Sequence, residues 1–168
     1  ALANSVNRYK TAAYTIERPL HLGAAVAGAD AALISAFRGY GRDIGIAFQL
    51  RDDQLGVFGD PEITGKPAGD DLREGKRTVL LSLALQRADE KDPASAKVLR
   101  SLIGNTEDPA EIAQMAQIIA DSGAPQMLEE QISALTESGL GHLRKAHVDP
   151  AVTETLEALA IKSTARRM

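Results

Sequence analysis

Cysteine and tryptophan are absent from the sequence, and three tyrosines and three phenylalanines are its only aromatic residues. Without cysteine there is neither a disulfide framework nor a thiolate metal site, which fits a reducing compartment and sets a cytoplasmic chain as the expectation. So few aromatic platforms, with scattered basic residues and a net charge of −4, argue against nucleic acid as the main partner. An acidic protein can still own a local basic site. Long apolar runs are missing too. The stretch LGAAVAGADAALISAF, residues 22–37, is interrupted by Asp30 and rich in Ala and Gly, too short and too polar for a membrane span. No signal peptide is visible.

Alanine and leucine abound where aromatics are scarce, so helices packed through small and aliphatic side chains are expected, and the fold class is all-α. At 168 residues, 44% hydrophobic and 25% charged, the chain is long enough for one sizeable core but not for two independent domains, so one domain or part of one is expected. Its first residues, ALANSVNRYKTAAYT, carry neither Met nor a capping residue and read as the middle of a helix, so the chain is expected to start mid-fold.

Helix starts are legible downstream. Asp92-Pro93-Ala94, Asp108-Pro109-Ala110 and Asp149-Pro150-Ala151 each set an N-capping Asp before a Pro at the first helical position. Gly123, followed by Pro125, is expected to stop the second of these helices. Upstream, Leu33, Phe37, Tyr40, Ile44, Ala47, Phe48 and Leu55 recur at helical spacing and predict one long helix from about residue 30 to about 56. From Val57 to Arg77, Gly59, Pro61, Gly65, Pro67, Gly69 and Gly75 accumulate, which predicts a long loop before the helix TVLLSLALQRA. Val57, Phe58 and Ile63 are expected to be its only apolar anchors, so the loop is expected to be mobile until a ligand orders it.

On the long helix, Gly45, Gln49, Asp52, Asp53 and Gly56 form a polar stripe beside the apolar face. Two adjacent carboxylates repel by on the order of 4 kcal/mol at about 4 Å in an effective dielectric near 20, unless water or a cation offsets it. Oxygen ligands with no His or Cys nearby suit Mg²⁺, which takes one or two carboxylates together with phosphate oxygens and water. Lys66 in TGKP and Lys76 in EGKRT supply cations for oxygen anions. The substrate class is therefore a phosphorylated small molecule. An aspartate pair at a helix end is more often simply solvated, and it is the combination with Gln49 and the two loop lysines that favours a site. His21, His142 and His147 show no metal-ligand spacing, and Arg166 and Arg167 read as a solvated terminus rather than a phosphate site.

FQLRDDQLGVFGD resembles the second aspartate-rich motif of the trans-isoprenyl (polyprenyl) diphosphate synthases of geranylgeranyl/farnesyl type; TGKPAGDDLREGKRT is similar to the loop that follows it, and Tyr9-Lys10-Thr11 to the lysine-threonine pair between upstream helices. The resemblance implies an isoprenoid synthase-type helical bundle. It further implies that Asp52 and Asp53 hold Mg²⁺ against an allylic diphosphate, with Lys10, Lys66 and Lys76 binding its oxygens. Gln49 and Thr11 would line the site near the developing allylic cation, and Phe48 would pack beneath them. The reaction implied is condensation of that allylic diphosphate with isopentenyl diphosphate, in a homodimer. A non-catalytic partner subunit and a terpene cyclase share this architecture; the intact Gln49, Asp52 and Lys66 set speaks against the first, and the two loop lysines against the second.

Two departures qualify the resemblance. Gly56 stands where the motif carries its last Asp, so a third carboxylate comes from Asp60 or is absent, while Asp70-Asp71 is assigned to the loop. The family's first aspartate-rich motif precedes the lysine-threonine pair and has no counterpart here. Residues 1–168 are therefore expected to be the C-terminal part of a single all-α prenyltransferase domain, inactive alone. Product length is not encoded in them, because the floor of the family's tunnel lies just before that first motif.

Overall fold

The computed structural model describes residues 14–65 and 67–165. Every regular element among them is helical: α1 (Arg18–Val26), α2 (Ala31–Phe58), α3 (Pro61–Thr64), α4 (Asp70–Arg73), α5 (Val79–Lys91), α6 (Pro93–Leu102), α7 (Pro109–Asp121), α8 (Ala124–Arg144) and α9 (Pro150–Thr164). The all-α expectation is met. None of these helices is long and apolar enough to cross a membrane.

The three Asp-Pro starts open α6, α7 and α9. Asp92 accepts the N–H of Ser95 at 3.2 Å, Asp108 that of Ala110 at 2.9 Å, and Asp149 that of Ala151 at 2.8 Å. Each bond satisfies one of the orphan donors of a first helical turn, and loss of such a cap costs about 1 kcal/mol. The long helix is α2, two residues beyond its expected end, and Asp30 caps it by accepting the N–H of Leu33 at 2.8 Å. The apolar run at 22–37 is thus the end of α1, a turn, and the start of α2. In α1, by contrast, Glu17 is already helical and makes no side-chain capping bond, so that helix is entered from a preceding helical turn.

By their contacts the described residues form two compact units, one of residues up to Arg51 together with residues 130–165, the other from Asp52 to Glu129. In the first unit Ala24, Phe37, Tyr40, Ile44, Leu140 and Leu143 build the core. Polar groups are drawn into it in satisfied pairs. Tyr40 donates its hydroxyl to the Leu156 carbonyl at 2.7 Å, and burial, with Glu157 nearby, pushes its pKa up to about 12. Asp43, 3% exposed, accepts from Ser138 Oγ and from Arg42 Nε, each at 2.7 Å, and His142 Nε2 stands 3.4 Å away. Arg51, 7% exposed, donates Nε to the Thr164 carbonyl at 2.7 Å, closing the C-terminal end of α9.

In the second unit Leu80, Leu99, Met115 and Ile119 are fully buried, and α5 and α6 are tied at the surface by Arg100 against the two oxygens of Asp89. The stretch expected to be one loop from Val57 to Arg77 is organised differently. Helix α2 runs on to Phe58, then come the short helices α3 and α4, with Gly65 and Gly69 at left-handed φ of 69° and 73° making the turns. An apolar anchor beyond the three expected ones is Leu72, 2% exposed, whose burial stabilises by about 1.5–3 kcal/mol. Its carbonyl accepts the N–H of Gly104 at 2.9 Å, and Gly75 and Gly104 touch through their backbones: a Cβ on Gly75 would lie 3.1 Å from the Gly104 Cα. This half of the segment is held by packing and backbone hydrogen bonds.

Candidate functional site

Adjacent residues on a helix point about 100° apart, so Asp52 and Asp53, although neighbours, meet different surroundings. Asp53 is 2% exposed and its Oδ2 accepts the N–H of Val79 at 3.1 Å, while Asp52 is half-buried. Beside that bond, Thr78 Oγ1 accepts the N–H of Leu81 at 3.1 Å. The end of α2 and Thr78 together cap the first turn of α5. One of the two adjacent carboxylates therefore has a structural role, which periodicity alone could not reveal.

Gly56 lies one turn further along α2. A Cβ built there would come 2.3 Å from Oδ2 and 2.4 Å from Cγ of Asp71, so only glycine admits that carboxylate against the helix. Asp71 is not a loop residue, as its neighbours in sequence suggest, but belongs to α4 and is 6% exposed. Asp60 is exposed and caps α3, accepting the N–H of Glu62 at 2.9 Å. The carboxylate over the motif's fifth position comes from Asp71. A sequence signal exists for it, in the pairing of a glycine at that position with an acidic residue five positions before the second loop lysine.

Lys76 completes this group. Its Nζ donates to Oδ1 and Oδ2 of Asp71 at 3.0 and 3.1 Å, and its backbone N–H donates to the Asp71 carbonyl at 2.9 Å. Burial works against the ammonium charge, but the hydrogen bond to Asp71 and the charges of Asp71, Asp53 and Asp52 outweigh it and hold the pKa above the usual lysine value. A fixed cation therefore stands in the field of three carboxylates. Arg73 is taken up by Asp70 and Glu107, at 3.3 and 3.1 Å.

Phe48 and Gln49, half-buried, lie on the turn of α2 before Asp52. Lys10, Thr11 and Lys66 fall outside the described residues, as do Arg166 and Arg167. Among the described residues no three His, Asp or Glu side chains converge to hold a metal. A hollow of about 700 Å³ in the first unit, lined in part by Asp30, Arg38, Arg42, His142 and Lys145, contains none of the motif residues. Arg38 and Arg42 are already engaged by Glu17 and Asp43.

Residues 4–121 match the family model described as polyprenyl synthetase. The chain is 46% identical over 85 residues to the geranylfarnesyl diphosphate synthase of Aeropyrum pernix, a match covering 51% of this chain and 26% of that protein. The geranylgeranyl pyrophosphate synthase from Corynebacterium glutamicum, solved in complex with isoprenyl diphosphate and magnesium, is similar with a TM-score of 0.96 and 61% identity, over 99% of this chain and 46% of that one. The polyprenyl synthase from Caulobacter crescentus CB15, complexed with calcium and isoprenyl diphosphate, is similar with a TM-score of 0.85 and 33% identity, over 99% and 50%. The chain thus spans about half the length of these solved relatives.

Proposed function

The chain belongs to the polyprenyl synthetase family, and from that premise we propose that it carries the diphosphate-holding side of a trans-prenyltransferase. The reaction joins an allylic diphosphate to isopentenyl diphosphate, releases diphosphate, and yields a short-chain product such as geranylgeranyl or farnesyl diphosphate. The observation that carries this reading is the acidic end of α2, where Asp52 and Asp53 share their field with the held ammonium of Lys76.

The donor set fits Mg²⁺. Two oxygen-bearing side chains, with no third His, Asp or Glu converging on them among the described residues, suit an ion that keeps its waters and completes its shell with phosphate oxygens, rather than one needing a closed protein cage. The chemistry Mg²⁺ supplies when bound is neutralisation of charge on the departing diphosphate. Asp52 and Asp53 would hold it, Asp53 with one oxygen already fixed by the Val79 N–H. Lys76, with Lys66 and Lys10, binds diphosphate oxygens through charge-assisted hydrogen bonds. Gln49 and Thr11 set fixed dipoles where positive charge develops on the allylic carbon, and Phe48 supports them. The double bond of isopentenyl diphosphate then attacks, and a proton leaves the new C–C unit. A cytoplasmic homodimer completes the reading.

The test is turnover by the full-length protein carrying this sequence, with farnesyl or geranyl diphosphate, labelled isopentenyl diphosphate and Mg²⁺. A longer labelled prenyl diphosphate is expected, and its absence overturns the reading. Cyclised hydrocarbon instead of diphosphate product would identify a cyclase.

A further inference from the structure

We propose that Asp71 is a positioning residue for the diphosphate site, acting through Lys76, and that Gly56 is glycine so that the Asp71 carboxylate can sit against α2. The inference rests on the diphosphate reading of Lys76 and adds to it two residues to which that reading gives no part.

The geometry is specific. The Asp71 carboxylate is pressed over Gly56 at a spacing that leaves no room for a methyl group, and it is almost fully buried. The backbone on either side of it is fixed: the N–H of Leu72 donates to the Gly69 carbonyl, that of Glu74 to the Asp70 carbonyl and that of Lys76 to the Asp71 carbonyl. A buried carboxylate on a pinned backbone is a rigid acceptor. Lys76 meets both of its oxygens, yet the lysine side chain is still 46% exposed.

An ammonium group has three N–H donors and can swing on four carbon–carbon bonds, so a free lysine loses much rotamer freedom when it binds an anion. Here that freedom is already given up in the contact with Asp71, while the exposed side of the ammonium remains open to an incoming oxygen. Asp71 thus serves Lys76 as an outer partner serves a metal ligand: it sets direction and keeps the charge. Preorganisation of this kind improves binding by lowering the ordering cost. It also accounts for the glycine at the motif's fifth position. A carboxylate carried by α2 itself would occupy the space that Asp71 needs.

The experiment uses the full-length protein carrying this sequence and inorganic diphosphate with Mg²⁺ as the calorimetric probe, alongside kcat and KM for the allylic substrate. Lys76→Gln and Asp71→Asn are each expected to weaken diphosphate binding about tenfold. The double variant is expected to be no worse than either, because both changes remove one coupled unit. Gly56→Ala keeps every charge yet displaces the Asp71 carboxylate, and is expected to raise KM about as much. Losses that multiply in the double variant, or wild-type binding by Asp71→Asn or Gly56→Ala, overturn the inference, as does an Asp71→Asn protein with a lowered Tm but wild-type affinity when folded. Wild-type binding by Lys76→Gln overturns the diphosphate reading of Lys76 itself, and the inference with it.

Discussion

The side chain of Asp53 accepts the backbone N–H of Val79 at 3.1 Å, so the acidic end of α2 also caps α5. Truncating Asp53 strands a buried donor, at a cost of about 1–3 kcal/mol. Asp53→Ala is expected to lower Tm by several degrees and to speed amide exchange at Val79. Unchanged exchange there would mean that the cap contributes nothing.

Asp52 and Asp60 separate on function. Asp52 is on the motif stripe of α2, whereas Asp60 is exposed and caps the four-residue helix α3. In the full-length protein, Asp52→Ala is expected to lower turnover by about a hundredfold, the loss of about 3 kcal/mol of transition-state stabilisation, and Asp60→Ala far less. Equal losses in steady-state assays would show the metal ligands to be misplaced.

Arg51 closes the last helix. Its buried Nε donates to the Thr164 carbonyl across most of the chain's length. Arg51→Met keeps much of the packing volume but leaves that carbonyl unpaired, and should cost about 1.5–3 kcal/mol, since hydrogen bonds from charged donors are the stronger ones. Faster hydrogen exchange in the last turn of α9, before global unfolding, is the expected readout.

Tyr40 supplies an alkaline transition. Its folded pKa is raised to about 12 from the ordinary 10.0, chiefly by burial. The folded state therefore holds the proton longer, and the contribution is fully present below about pH 10, then lost as pH rises towards about 12. The gap between the folded and the ordinary value corresponds to about 2.7 kcal/mol at most. Denaturant titrations should show wild-type stability falling more steeply across this window than that of Tyr40→Phe. Parallel pH profiles would contradict the assignment.

Leu72 anchors the segment that follows α2. Leu72→Ala is expected to destabilise by about 2–5 kcal/mol, as for other fully buried leucines. In the ligand-free wild type the amides from Leu72 to Lys76, each bonded to a carbonyl, should exchange slowly. Rapid exchange there would restore the picture of a loop held open until diphosphate arrives.

Much of this architecture is written locally. Asp-Pro pairs announce α6, α7 and α9 because a cap and a prolyl ring act within one turn, and α2 is legible from its apolar spacing. The acidic stripe and Lys76 are visible for the same reason. What escapes is what depends on distance along the chain. The burial of Leu72 depends on its place in α4 and is backed by Gly104, Asp53 is understood only with Val79 beside it, and Asp71 acquires meaning only when Gly56 is seen beneath its carboxylate. Helix α8 carries no comparable mark, because its first turn holds Pro125 without the Asp that announces the others.

The backbone contact between Gly75 and Gly104 bears on which sequences this fold can accept. Both residues have left-handed φ, 65° and 69°, and a Cβ on Gly104 would lie 3.0 Å from the Gly75 Cα. A side chain at either one meets a conformational penalty of its own and a collision with the other. Enlarging one cannot be offset by shrinking its neighbour, since the neighbour is already as small as a residue can be. In a library randomised at these two codons and selected for folding, the survivors should be glycine at both, with no compensating pairs.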